Sequence, residues 1–441
     1  MVPWKLPAEL ASWVAQLAAL LDRRVAGRLT TVLLGMLFAR GRRTVASWLR
    51  AVGVGQAFPA YYYFLGSLGG NTDAVASALL RLAVRVLAPD DCLLLAIDDT
   101  PTKRYGPKVQ GAGIHHNPTP GPADQKFLYG HVWVTLAWLV RHPLWDCIGL
   151  PLRALLYVRQ KDMAKLPRRT KVKFRTKLTM AAELIAWSAD RLQWLGKTVW
   201  FVVDGAYGKR PVLQKAKAKN VVVVSRLRKD ARLFDVPKPP RRRGPGRPRK
   251  YGAPISLAKR GVHPRGWQTG TFTLYGETVT KTFKTFVATY PPAGGAIRVV
   301  IVKEATGWVA FFATDPHATV AQVLEAVADR AAIEQNFHDL KEVHGAGQQQ
   351  VRNYGANVAA YHLNLWLHTL IELWAWPRPH AELCDRTQSP WDDPERRPSH
   401  ADRRNALRRI CLEQEYQAAQ AQQPVSRKLR ALFTGLLRMA G

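Results

Sequence analysis

The stretch "CLLLAIDDT", residues 92–100, decides how the rest of the chain is read. It is a short apolar run with no helical stripe, and it ends in two acids, the mark of a buried strand. Two further strand-like runs follow, "KFLYGHVWVTLAWLV" (126–140) and "DCIGLPLRALLYVRQ" (146–160). Next come an amphipathic helix, "KFRTKLTMAAELIAWSADRLQWLG" (173–196), and a second acid-terminated strand, "TVWFVVDGAYG" (198–208). A short basic helix, "RPVLQKAKAKN" (210–220), leads into the strand "VVVVSRL" (221–227). Three strands, helix, strand, helix, strand predicts an α/β core built on a mixed sheet.

Outward from this core the texture changes on both sides. Residues 1–90 read as a helical domain, with apolar residues at helical spacing and interspersed Arg. Within it, "TVASWLRAVGV" (44–54) reads either as one helix of a helix-turn-helix or as an ordinary packed helix. Downstream of the first part of the core (91–229), "KPPRRRGPGRPRKYG" (238–252) has no periodicity. Alternating Thr-, Val- and Phe-rich runs follow, so residues 230–305 are predicted to be an all-β insertion. Residues 306–376 return to the core with a helix from roughly Thr319 to Val343 and the apolar helix "NVAAYHLNLWLHTLIELWAW" (357–376). Residues 377–441 form a polar, helical C-terminal region with basic helices near "SHADRRNALRR" and "RKLRALFTGLLR".

The 441 residues are 47% hydrophobic, enough for real cores. Lys and Arg number 65 against 32 acids, a net charge of +33, which implies a polyanionic partner. No apolar run of about 20 residues exists, so nucleic acid is expected rather than a membrane. The N-terminus has no signal-peptide pattern. The four cysteines, Cys92, Cys147, Cys384 and Cys411, are widely spaced, which argues against a zinc or disulfide framework and fits a reducing cytoplasm.

Asp98 and Asp204 each end a buried strand, and such side chains converge at a crevice beyond the sheet. Glu334, on a helix whose upstream stripe (Val320, Val323, Val327) is apolar, can reach the same crevice. Arg330, Glu334 and Lys341 lie within about 40° of one another on that helix. Three carboxylates from separate segments can hold two divalent metals about 4 Å apart, the arrangement that drives in-line phosphoryl transfer. Carboxylate oxygens suit Mg²⁺ or Mn²⁺. The plainer readings are strand-end Asp residues as turn caps and Glu334 as a helix ion-pair partner of Arg330.

In these residues the chain resembles the bacterial insertion-sequence DDE transposases with a ribonuclease-H-like core. One subgroup carries Y-x2-R-x3-E-x6-K around its catalytic glutamate. Arg330, Glu334 and Lys341 match the R, E and K, while Val327 stands at the Tyr position. "AIDDT" fits the family's D-x-T, with Asp98 as first ligand and Asp99 as rival. "VVDGAYG" fits D-x-x-Y through Asp204 and Tyr207. The β-rich insertion and the "PSHADRRNALRR" element are similar too.

The resemblance implies a ribonuclease-H-like mixed sheet flanked by helices, two Mg²⁺ ions (Mn²⁺ substituting) and catalytic Asp98, Asp204 and Glu334. It also implies phosphate contacts by Arg330 and Lys341, rather than ion pairing with Glu334. The expected partners are double-stranded transposon ends and target DNA, met by a homodimer in a synaptic complex of a cytoplasmic, nucleoid-associated bacterial enzyme. Ends would be cut by hydrolysis and their 3′-hydroxyls transferred, with or without a hairpin. The alternative is a transposase-derived DNA-binding protein without catalysis.

Several further residues are candidates for DNA contact. "RRRGPGRPRKYG" resembles an AT-hook, with Arg243, Arg247, Arg249 and Lys250 about its G-R-P core, or else is a basic linker. The run 159–177, with Arg168, Arg169, Lys171 and Lys173, is read as a phosphate track. "GIHHNPTPG" (113–121), with His115 and His116, is read as a loop that orders on DNA rather than a metal site. Trp267 and Trp308 are either sheet core or base-stacking groups.

Overall fold

The computed structural model describes residues 4–117, 125–237, 249–386, 389, 391–422, 426 and 429. Arg243, Arg247 and the "RKLRALFTGLLR" helix therefore lie outside the described residues, apart from isolated positions, and so does the side chain of Arg169.

The described strands are β1 (Cys92–Lys103), β2 (Gly113–His116), β3 (Phe127–His142), β4 (Asp146–Tyr157), β5 (Thr198–Val203) and β6 (Val222–Leu227). After them come β7 (Leu233–Phe234), β8 (Pro254–Ile255), β9 (Gln268–Leu274), β10 (Glu277–Tyr290), β11 (Gly295–Glu304) and β12 (Gly307–Ala313). Strand β3 pairs antiparallel with β1 on one edge and with β4 on the other. Strands β1, β5 and β6 are mutually parallel. The order β4-β3-β1-β5-β6 is a ribonuclease-H-like mixed sheet, as the sequence predicts. The runs 92–97 of β1 and 199–203 of β5 are apolar because both faces of the sheet are covered there.

The β-rich segment does not form a layer of its own. Strand β12 pairs antiparallel with β6, so β12, β11 and β10 continue the core sheet, with β9 and β7 both on β10. The expected all-β character of this insertion is corrected by α8 (Leu257–Val262), whose first turn is capped by Ser256. Leu257 and Gly261 of α8 are buried, and a Cβ at Gly261 would collide with the Trp308 ring.

Helices α1 (Ala8–Ala18), α2 (Arg23–Phe38), α3 (Val45–Ala51), α4 (Phe58–Leu68) and α5 (Thr72–Leu87) form the N-terminal helical region. The "TVASWLRAVGV" segment is α3, capped by Thr44 and packed on α2 through Val45, Trp48 and Leu49. Helices α6 (Lys177–Leu192) and α7 (Arg210–Ala218) precede β5 and β6. The helix expected over 319–343 is two, α9 (Val320–Asp329) and α10 (Ala331–Glu342), broken at Arg330. Helix α11 (Tyr354–Ala375) is buried at every position from Ala356 to Ala375 and packs on β4 and α4. Two C-terminal helices, α12 (His380–Leu383) and α13 (His400–Gln422), complete the described set.

Candidate active site

The parallel register of β1 and β5 pairs Ile97 with Val203. The next residue on each strand is an aspartate, so Asp98 and Asp204 emerge side by side at the carboxyl end of β5. Asp204 then starts a tight turn. Its Oδ2 accepts the Ala206 N–H at 3.1 Å, and its carbonyl accepts the Tyr207 and Gly208 N–H groups at 2.8 and 3.2 Å. The turn folds the Tyr207 ring back under the strand end, where it is buried.

Helix α10 lies across β1. At its start the Arg330 guanidinium donates to Asp98 Oδ2 at 2.8 Å and to Glu334 Oε1 at 2.5 Å. One cation therefore bridges two of the three expected carboxylates. The sequence reading has Arg330 turned to phosphate and not to Glu334. In the structure it is an ion-pair partner of both acids, which compensate a cation only 22% exposed.

Burial pushes the Asp98 carboxyl up to about 6. Arg330 and a hydrogen bond from the Asp99 N–H oppose the shift, while the nearby Asp99 and Asp204 charges add to it. Desolvation outweighs the guanidinium, so this carboxylate is under-compensated and suited to a further cation. The donors are all oxygens, which fits Mg²⁺ or Mn²⁺.

Adjacent residues of a strand point to opposite faces. Asp98 faces Arg330, whereas Asp99 accepts from Lys177 Nζ and from the Tyr207 hydroxyl, each at 2.5 Å. Burial and then the Asp99 charge push the Tyr207 phenol upward, so it stays a donor. Lys177 opens α6, capped by Thr176, and is the last residue of the basic run 159–177. The sequence reading does not single it out, although its place at the junction of a basic run and an amphipathic helix is a visible signal.

Lys341 stands two turns beyond Glu334, about 10 Å along α10, and burial lowers its ammonium pKa. Arg168, Lys171 and Lys173 lie on the segment between β4 and α6, and all three are exposed. Arg249 and Lys250 are exposed as well. His115 and His116 belong to strand β2 rather than to a loop, because β2 pairs with the first residues of β3. Burial lowers His115 to about 4. Trp308 is core, and Trp267 is half-buried beneath Lys284, 4.5 Å from its ring centroid. No motif pointed to a second group of titratable side chains, His368, Glu372 and His400, buried where α11 meets α13. The i, i+4 spacing of His368 and Glu372 in a largely apolar helix that also carries Asn357, His362 and Asn364 is the sequence signal it leaves.

A family model for DDE superfamily endonucleases matches residues 16–285, more than half of the chain. The matched span contains Asp98, Asp99, Asp204 and Tyr207 and ends before Glu334. No curated protein is similar enough to match.

Proposed function

Because the chain belongs to the DDE superfamily endonucleases, we propose that it is a DNA transposase that cuts transposon ends and joins their 3′-hydroxyls to target DNA. The observation that carries this reading is the Asp98–Arg330–Glu334 bridge beside Asp204 on a ribonuclease-H-like sheet. Asp98, Asp204 and Glu334 would hold two Mg²⁺ ions, with Mn²⁺ as substitute. Metal held by these residues would supply activation of an oxygen nucleophile and stabilisation of the leaving oxygen. With the carboxylates neutralised by metal, Arg330 would be placed to take a DNA phosphate bidentately.

Asp99 is assigned a positioning role. It holds Lys177 and Tyr207 against the strand ends, and Lys177 continues the phosphate track of Arg168, Arg169, Lys171 and Lys173 into the site. Lys341 contacts phosphate further along the same helix face. The helical residues 1–90 and the segment with Arg243, Arg247, Arg249 and Lys250 are assigned to binding of the ends, and two copies to a synaptic complex. Whether a hairpin forms at the ends depends on how the second strand meets the freed 3′-hydroxyl.

Linear DNA carrying the element's terminal inverted repeats, incubated with Mg²⁺, tests the assignment. Wild type should cut at the repeat boundary, and Glu334→Ala should lose at least about a thousandfold in rate. Equal cutting by the two would sink the enzyme reading. Tight end binding with no cleavage by wild type in Mg²⁺ or Mn²⁺ would instead identify a transposase-derived DNA-binding protein.

A further inference from the structure

We propose that His368, Glu372 and His400 bind a divalent transition-metal ion of the zinc class, in the interior where α10, α11 and α13 meet. One ligand atom from each of the three lies within 4.8 Å of the others, and all three residues are buried. His368 and Glu372 are four residues apart on α11 and so share one face. His400 opens α13 and turns its Nδ1 to Glu372 Oε1 at 2.5 Å.

Each imidazole has a polar side chain behind it, the place where a ligating histidine finds its second partner. His400 Nε2 meets His344 Nε2 at 2.7 Å. His368 Nε2 faces Asp339 Oδ2 at 3.8 Å and Asn336 Nδ2 at 3.5 Å. That leaves His368 Nδ1, which is buried and has no hydrogen-bond partner among the described residues. A buried ring nitrogen without a partner is costly, and a cation supplies the partner it lacks. The other Glu372 oxygen, Oε2, accepts from Arg403 at 2.5 Å, which fixes the carboxylate plane. The Arg403 charge opposes a second cation, and Asp339 on the far side of His368 offsets it.

Two nitrogens and one oxygen suit Zn²⁺ and not Mg²⁺. All three residues also line a cleft of about 880 Å³, which gives an ion a route in. Glu334 and Asp339 are five residues apart on α10, about 140° around the helix. The Asp98–Glu334 carboxylates and this cluster therefore sit on different sides of α10. An ion here would pin α13 to α11 and would make the fold of the C-terminal region metal-dependent.

The test is equilibrium dialysis of the full chain against Zn²⁺ in excess Mg²⁺, with metal content measured per chain. Wild type and a D98N/E334Q variant should each retain one Zn²⁺. H368Q and E372Q should bind it roughly a hundredfold or more weakly. Co²⁺ loaded into wild type in place of Zn²⁺ should give the strong visible bands of a four-coordinate nitrogen and oxygen site, which decides the matter if a variant fails to fold. No zinc retained by wild type, equal retention by H368Q and E372Q, or a weak six-coordinate cobalt spectrum would each overturn the proposal. None of these readouts depends on DNA cleavage, so they stand apart from the transposase assignment.

Discussion

Asp98 and Asp99 are neighbouring residues with opposite surroundings. In the sequence they are interchangeable, because a one-residue slip along a strand exchanges the two faces. In the fold, Asp98 meets a guanidinium on α10, and Asp99 meets Lys177 and Tyr207. The difference has a measurable consequence. Asp98 has an ordinary value of 3.8 and a folded value of about 6, so the folded chain holds this proton more tightly than the unfolded chain does. The associated stability is fully present below 3.8 and is lost as the pH rises through about 6. D98N cannot ionise and escapes that loss. Without divalent metal it should be more stable than wild type near neutral pH, by at most about 3 kcal/mol. The advantage should vanish near pH 4. Urea unfolding of both proteins in EDTA at the two pH values measures it. A constant difference between them would mean that Asp98 is not desolvated.

At the scale of elements, helices were legible wherever apolar residues recur at helical spacing, but their contacts were not. Helix α4 crosses the start of α11 at Gly69, where a Cβ would collide with the Gly355 carbonyl. Gly66, one turn earlier and exposed, has open space at its Cβ position. The two glycines look alike in "FLGSLGG" and should respond oppositely. G69A should cost about 1–3 kcal/mol by forcing the backbones apart. G66A should be neutral or add up to about 1 kcal/mol through helix propensity. Chemical denaturation of the two variants checks the pair, and equal losses would place the crossing elsewhere. The break at Arg330 was hidden for a similar reason. Residues 319–343 carry no Pro or Gly, and the helix divides where one side chain reaches two acids on different elements.

For the whole molecule, the order of strands and acids could be read because Asp98 follows the apolar first half of β1 and Asp204 directly follows β5, although β1 runs on past Asp98 to Lys103 rather than ending there. The net charge of +33 could be read too, but not its division between interior and surface. In "SHADRRNALRR" the basic pattern suggests a solvated helix, yet Arg403, Arg404 and Arg408 are buried. Arg403 pairs with Glu372, and Arg404 donates to the Met36 and Leu37 carbonyls that end α2. These cations hold the C-terminal helix to the body and are not available to DNA. The exposed Arg168, Lys171 and Lys173 are available, and they precede Lys177 at the carboxylates. Affinity for end DNA should therefore fall linearly on a log–log plot against salt, with a slope of about −0.9 per phosphate neutralised. Replacing Arg168, Lys171 and Lys173 together with Gln should flatten that slope by up to about three contacts. The Mg²⁺-dependent cutting rate at saturating DNA should stay near wild type, because none of the three touches Asp98, Asp204 or Glu334. Filter binding across a salt series, with single-turnover cleavage beside it, separates the two effects. An unchanged slope would remove this segment from the DNA path, whereas a lost cutting rate with unchanged slope would place it in the catalytic machinery.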